Sequence, residues 1–211
     1  MIVVVGGHSR NIGKTAVMEG IARALPDFGW TAVKITQHGH GICSTQGKAC
    51  DCHDGTDHPY AMSEELAPSL TDSGRYLAAG ALRSFWLRTR QGELGEGMPA
   101  LRRVLTASRN VLIESNSVLN FLAPDVYVFV LDHAVADMKD SARRFLNRAD
   151  ALISLHSELP APWPGVPAGW LASKPRFAAN APSYAPPDMT RWLRAQLEAI
   201  SAGERKSASQ R

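Results

Sequence analysis

The first part of the chain carries the feature that most constrains the fold. Residues 1–5 form a continuous, mostly β-branched apolar run, which predicts a strand buried on both faces of a parallel sheet. The run stops at Gly6 and Gly7, and residues 7–15 follow with the pattern Gly-x5-Gly-Lys-Thr. Apolar residues then recur at helical spacing from Val17 onward. A strand, a glycine turn and a helix that begins at Gly-Lys-Thr are the context of a phosphate-binding loop.

The chemistry of such a loop follows from its main chain. Consecutive amide N–H groups and the positive end of the helix surround a phosphate, and glycines let the backbone approach it. Lys14 is placed to reach the outer phosphates and Thr15 to ligate magnesium. The alternative is a glycine turn followed by a surface lysine. The predicted nucleotide-binding residues are Gly7, His8, Ser9, Arg10, Asn11, Ile12, Gly13, Lys14, Thr15 and Ala16.

Strand-like and helix-like segments alternate along the rest of the 211 residues. The pattern predicts strands at 31–35, 84–87, 110–113, 126–131 and 151–155, and helices at 72–81, 98–107, 141–149 and 190–200. This alternation predicts an α/β fold with a mostly parallel sheet and helices on both faces. We expect one domain over residues 1–200, a long polar insertion at about 37–69, a proline-rich extended segment at 159–170 and a flexible tail at 201–211.

Charge and hydropathy exclude several functional classes. The formal charge of +3 is concentrated near the end of the chain, where Arg205, Lys206 and Arg211 occur, so the remainder lacks the basic footprint of a nucleic-acid binder. No apolar run approaches the roughly 20 residues of a membrane helix. The beginning of the chain lacks the pattern of a signal peptide. We therefore expect a cytoplasmic protein that binds neither nucleic acid nor membrane.

Acidic and basic side chains at strand ends are candidate partners of the nucleotide. Glu114 closes a predicted strand, where open α/β sheets place ligands, and a carboxylate there can hold magnesium; alternatively it caps a helix or faces solvent. Asp72 is either a second acid on the magnesium side or a helix N-cap. Lys34 either neutralises phosphate charge or is solvated. The predicted catalytic residues are Lys14, Glu114 and Lys34, with Thr15, Glu114 and Asp72 around magnesium.

Several segments resemble known families. Residues 72–81 match Asp-[Ser/Thr]-x-Arg-x3-Ala-Gly-Ala, and this segment is similar to the MobB-type molybdopterin-guanine dinucleotide biosynthesis adaptors. Lys34 with His38, and residues 111–114 ending in an acid, resemble the same family. The phosphate loop is one residue longer and resembles that of dethiobiotin synthetase. The resemblance covers roughly residues 1–120. It implies a dimerising P-loop nucleotide-binding protein that uses Mg²⁺ and GTP or ATP. It also implies a role in molybdenum cofactor biosynthesis and a partner protein from that process.

Histidines and all the cysteines of the chain are concentrated in the insertion. Cys43, Cys50 and Cys52 lie among His38, His40, His53 and His58, and thiolates and imidazoles are preferred ligands of zinc, while thiolates also hold iron–sulfur clusters. The candidate metal ligands are Cys43, Cys50, Cys52 and His53. The alternative is a polar lid with free cysteines and solvated histidines.

Three functional hypotheses follow. The first is Mg-dependent binding and hydrolysis of GTP or ATP in cofactor biosynthesis, as the resemblance to MobB-type proteins implies. The second is an ATP-dependent ligase or kinase similar to dethiobiotin synthetase. The third is a zinc or iron–sulfur binding adaptor in which the nucleotide acts as a switch. No convincing guanine-reading motif occurs in the sequence, so the choice between ATP and GTP stays open.

Overall fold

The computed structural model describes residues 1–38, 59–161 and 163–203. The strands are β1 (Ile2–Gly7), β2 (Thr31–His38), β3 (Tyr60–Glu65), β4 (Arg83–Arg90), β5 (Val111–Glu114), β6 (Val126–Asp132), β7 (Ala151–Leu155) and β8 (Arg176–Ala178). The α-helices are α1 (Lys14–Ala24), α2 (Asp72–Ala78), α3 (Leu94–Thr106), α4 (Asp140–Leu146), α5 (Ala168–Ala172) and α6 (Pro187–Ser201). Short 3-10 turns occupy Pro26–Phe28 and Ser117–Asn120.

The strands form one eight-stranded sheet in the order β3-β4-β2-β5-β1-β6-β7-β8. All neighbouring strands are parallel except β3, which runs antiparallel to β4. Strand β1 lies between β5 and β6, with Val5 opposite Glu114 on one side and Gly7 opposite Val130 on the other. The loop that follows β1 therefore emerges at the centre of the carboxyl edge of the sheet, where α/β proteins bind ligands.

Helices cover both faces of the sheet, as the alternating pattern predicts. Because side chains alternate between the faces of a strand, Val3 and Val5 belong to one core cluster and Val4 to the other. The first cluster includes apolar residues of α1 and α6, such as Ile21. The second includes residues of α3 and α4, such as Leu101. Burial on both faces explains why the central strands are continuous apolar runs.

The structure differs from the predicted organisation in two segments. Strand β3 lies inside the segment 37–69, where the sequence predicts a long polar insertion and no strand. Its polar residues fit the sheet because β3 is an edge strand with no fully buried residue. Helix α5 begins at Ala168, inside the segment 159–170 that we expected to be extended.

The remaining boundaries differ only at element ends. Strand β7 has the predicted bounds, whereas α2 ends at Ala78 and the chain then turns through Gly80, whose φ is +99°. Helix α6 runs to Ser201, the first residue of the predicted tail, and residues 204–211 lie outside the described part of the chain. Among the described helices, none is both long and apolar enough to cross a membrane.

Gly20 allows α1 to pack closely against the segment before α6. A Cβ atom at this position would lie 2.7 Å from Ala185 Cβ and 3.0 Å from its backbone nitrogen. Gly169, in contrast, is a helical glycine with no atom within 4 Å of the corresponding point.

We expect Gly20→Ala to lower the free energy of unfolding by about 1–3 kcal/mol because the added methyl group overpacks this contact. The matched control Gly169→Ala should be neutral or raise it by up to about 1 kcal/mol, since alanine favours a helix. Urea denaturation of the two variants measures both effects. Equal stabilisation by the two substitutions would contradict the packing argument.

Candidate functional site

The loop after β1 exposes main-chain donors. Asn11 has a φ of +55° and Gly13 a φ of +82°, so both adopt the left-handed conformation. Gly13 is the N-cap of α1 and supplies no side chain to its free N–H groups. Successive amides in such a turn, together with the positive end of a helix, form an anion-binding concavity. The local backbone therefore has the form that the sequence predicts for a phosphate loop.

The side chain of Lys14 reaches back across this loop to Ser9. Its ammonium group donates to the carbonyl oxygen of Ser9 at 2.6 Å, and burial lowers the pKa of Lys14. Within the described ranges, no carboxylate forms an ion pair with Lys14. A half-buried cation whose hydrogen bond goes to a neutral carbonyl is suited to receive an anion.

Glu114 is the centre of the polar network beside the loop, and it is only 4% exposed. Its carboxylate accepts hydrogen bonds from the Thr15 hydroxyl at 2.9 Å, the Lys34 ammonium at 2.5 Å and the Tyr76 hydroxyl. Burial alone would raise the pKa of Glu114, but the ammonium groups of Lys34 and Lys14 outweigh it and hold the pKa below its usual value. Glu114 is therefore an ionised, buried acid, and the alternatives of a helix cap or a solvent-facing acid are wrong.

The sheet register brings Lys34 to Glu114, because the two residues face each other across β2 and β5. Lys34 also pairs with Asp72 at 2.9 Å and lies 3.4 Å from the Thr15 hydroxyl. Burial lowers the pKa of Lys34, but Glu114 and Asp72 outweigh this effect and raise it overall. The alternative of a solvated lysine is wrong, and Lys34 stays charged between two carboxylates.

Asp72 is the first residue of α2, but it is not the N-cap. Thr71 has that role, since its hydroxyl accepts a hydrogen bond from the Gly74 N–H at 3.0 Å. Asp72 instead directs its carboxylate to Lys34 and, at 3.6 Å, to Arg75. The N-cap alternative is therefore wrong, whereas the assignment of Asp72 to the magnesium side stays a prediction.

The structure adds residues that the sequence analysis did not single out. Asn116, just after β5, accepts a hydrogen bond from the Gly7 N–H at 2.9 Å and donates one to the Gly7 carbonyl at 2.8 Å. A Cβ atom on Gly6 would lie 2.3 Å from the Asn116 amide oxygen. Asn116 thus fixes the start of the loop, and only glycine fits beside it. An asparagine after a strand that ends in an acid is a weak signal, too common to be interpreted alone.

His8 lies within the loop but turns its side chain away from it. Its Nε2 accepts a hydrogen bond from the Asp132 N–H at 3.0 Å, so Nδ1 carries the proton and donates to the Asp137 carbonyl at 2.7 Å. Burial lowers the pKa of His8, which favours this neutral form. The His8 side chain therefore anchors the loop to β6 and the segment after it. The His8 N–H also donates to the Val130 carbonyl at 3.2 Å, so both the ring and the main chain of His8 are bonded within the protein.

The oxygen donors beside the loop fit magnesium. Mg²⁺ prefers hard oxygen ligands and is usually held by one or two protein groups plus waters and phosphates. The Thr15 hydroxyl and Glu114 carboxylate are such groups and are already hydrogen-bonded at 2.9 Å. These two residues would hold the ion.

The candidate cysteine and histidine ligands form the second predicted site. Cys43, Cys50, Cys52 and His53 lie outside the described residues. His38 is described, at the end of β2, where it faces Arg90 of β4. Over residues 1–38, 59–161 and 163–203 no group of three metal-ligating side chains occurs. The zinc or iron–sulfur site therefore stays a prediction from the sequence.

No protein-family model matches the chain, and no curated protein matches it in sequence. Among solved structures, it is similar to HypB from Helicobacter pylori in complex with nickel, with a TM-score of 0.51 and 13% identity over 99% of this chain and 91% of HypB. A second match is the apo form of LpxK from Aquifex aeolicus in complex with ATP, with a TM-score of 0.46 and 17% identity over 84% of this chain and 53% of LpxK. The sheet and the similarity to HypB show that the chain has an α/β P-loop fold.

We expect Glu114→Gln to lower the free energy of unfolding by about 3 kcal/mol at about pH 7, because it leaves buried ammonium groups without their main counter-ion. Glu158→Gln is the matched control, since Glu158 is exposed, and its effect should stay within about 0.5 kcal/mol. Urea denaturation measures both. Similar stabilities of the two variants would contradict the central role of Glu114.

The stability difference between wild type and Glu114→Gln has a predictable pH dependence. A carboxyl group whose folded-state pKa is lowered stabilises the fold above its unfolded pKa of about 4.3, and the benefit is lost as the pH falls through the folded pKa. The stability difference between wild type and Glu114→Gln should therefore be constant from about pH 7 to about pH 5 and shrink below about pH 4. A difference that grows on acidification would show that Glu114 is protonated in the native state.

Proposed function

We propose that the chain binds and hydrolyses a magnesium nucleoside triphosphate at residues 7–15. The observation that carries this proposal is the 2.9 Å hydrogen bond between the Thr15 hydroxyl and the Glu114 carboxylate. It joins the two oxygen ligands that a magnesium ion on a phosphate loop requires. The uncapped N–H groups of α1 and the bridging Lys14 support the same conclusion.

Each residue of the site has a distinct role in this proposal. The loop amides hold the phosphates, and Lys14 exchanges its bond to the Ser9 carbonyl for the outer phosphates, where it neutralises negative charge. Magnesium, when bound to Thr15 and Glu114, supplies further charge stabilisation. Lys34 keeps Glu114 ionised and adds positive charge on the phosphate side. Asp72 holds Lys34 and is the second acid near the metal.

The resemblance to MobB-type adaptors suggests the biological setting. We propose a role in cofactor biosynthesis, with GTP or ATP as the nucleotide, a homodimer as the functional form and a partner protein from the same process. The longer phosphate loop supports an alternative, an ATP-dependent ligase or kinase similar to dethiobiotin synthetase. Product analysis separates them: release of inorganic phosphate from nucleotide alone supports a hydrolase, whereas phosphate transfer that requires an added small acid supports the alternative.

A second candidate function is a metal-binding adaptor in which the nucleotide controls the partner interface. It rests on Cys43, Cys50, Cys52 and His53 as ligands of zinc or an iron–sulfur cluster. His38 and Pro59, which flank this segment, both lie beside Arg90 at the carboxyl end of β4. Metal analysis of protein purified anaerobically under reducing conditions tests this candidate; absence of zinc and iron removes it.

We expect Lys14→Ala to abolish detectable nucleotide binding, because it removes the cation that faces the outer phosphates. Arg23→Ala is the matched control, since Arg23 is exposed at the opposite end of the same helix, and its affinity should equal that of wild type. Calorimetric titration of ATP and of GTP, each with and without Mg²⁺, measures binding, base preference and cation dependence. Unchanged affinity in Lys14→Ala would refute the assignment of the site.

A further inference from the structure

The segment between β6 and α4, residues 133–139, is fastened to the phosphate loop. The Lys139 N–H donates to the His8 carbonyl at 2.9 Å, and the His8 ring donates to the Asp137 carbonyl at 2.7 Å. The Ser9 hydroxyl also donates to the Asp137 carboxylate. These contacts set the position of residue 139 relative to the loop independently of its side chain.

The side chain of Lys139 is half-buried, and other positive charges act on it. Burial lowers the pKa of Lys139 to about 8, and the positive charges of Lys14 and Arg10 add to this effect. Asp137 and Glu114 act in the opposite direction but do not compensate. In the described part of the chain, neither Lys14 nor Lys139 forms an ion pair.

Cations gathered around one loop repel one another in the free protein, and a polyanion between them would remove that repulsion. We propose that Lys139 is a phosphate-binding residue, which contacts the outer phosphates of the bound nucleotide from the segment 133–139. The outer phosphates are the target because the Lys139 main chain is hydrogen-bonded to His8 of the same loop, and Lys14 of that loop is the residue that reaches them. This inference rests on the proposed function and adds a residue that no motif in the sequence marks.

Binding of nucleotides by Lys139→Gln tests the proposal. We expect its affinity for the magnesium triphosphate to fall by about tenfold, the equivalent of one charge-assisted hydrogen bond, with a smaller loss for the corresponding diphosphate. Lys139→Arg should retain most of the affinity. Arg102→Gln removes one positive charge from the exposed surface of α3 and should bind like wild type at the same ionic strength.

The pH dependence of the wild-type affinity provides a second readout. Only the protonated amine attracts phosphate, so the affinity for the triphosphate should decrease as the pH rises through about 8, where Lys139 titrates. The charged groups that act on Lys139 are Lys14, Arg10, Asp137 and Glu114. Lys139→Gln should show a flatter profile over the same interval, while Arg102→Gln should follow the wild type.

Acetylation of the wild-type protein, followed by mass spectrometry, does not depend on the folding of any variant. Bound magnesium triphosphate should slow the acetylation of Lys139. Lys174 is the internal reference, since its ammonium group is held by the carbonyls of Asn147 and Ala149, and its rate should not change.

The outcomes separate this inference from the proposed function. If the wild type binds nucleotide and Lys14→Ala does not, but Lys139→Gln binds like wild type and Lys139 is not protected, the inference is overturned and the proposed function stands. If the wild type binds no nucleotide at all, both are overturned. Should Lys139→Gln fail to fold, protection of Lys139 in the wild type decides the question.

Discussion

The buried carboxylate of Glu114 is the interaction on which the site depends. It receives hydrogen bonds from α1, β2 and α2 through Thr15, Lys34 and Tyr76, so one acid joins the loop helix to the neighbouring strand and to the next helix. A carboxylate without such donors would be too costly to bury. The ionised acid in turn makes it possible to keep Lys34 charged inside the protein. At this edge of the sheet, the interactions of Glu114 therefore both hold neighbouring elements together and keep its charged partner ionised.

The loop itself is held from two sides before any ligand arrives. Asn116 binds both backbone groups of Gly7, and His8 connects the loop to Asp132 and Asp137 on the other side of β1. Asn11 and Gly13, which adopt the left-handed conformation, follow this anchored beginning of the loop. Ordering a loop before binding reduces the entropy that the ligand must overcome. The backbone at the beginning of the loop is therefore already ordered before an anion binds.

Local patterns predicted the parts of the molecule that local chemistry determines. The phosphate loop, the central strands and the acid at the end of β5 follow from apolar runs and glycine positions. Strand β3 escaped prediction because its pairing with β4, rather than its own hydrophobicity, makes it a strand. The residues that hold the loop were not predicted for a similar reason. Asn116 and Lys139 are distant from the loop in sequence, and only the order of the strands brings them to residues 7–9. Tyr76 lies within a recognised segment, but its bond to Glu114 depends on how α2 packs.

The edge of the sheet has an architectural consequence for the cysteine-containing part of the chain. His38 and Pro59 flank Arg90 on opposite sides of β4, so the chain leaves and re-enters the sheet about two strand spacings, or roughly 10 Å, apart. Because these anchor points are close, the connection between His38 and Pro59 can change in length or sequence without a change in the order of the strands.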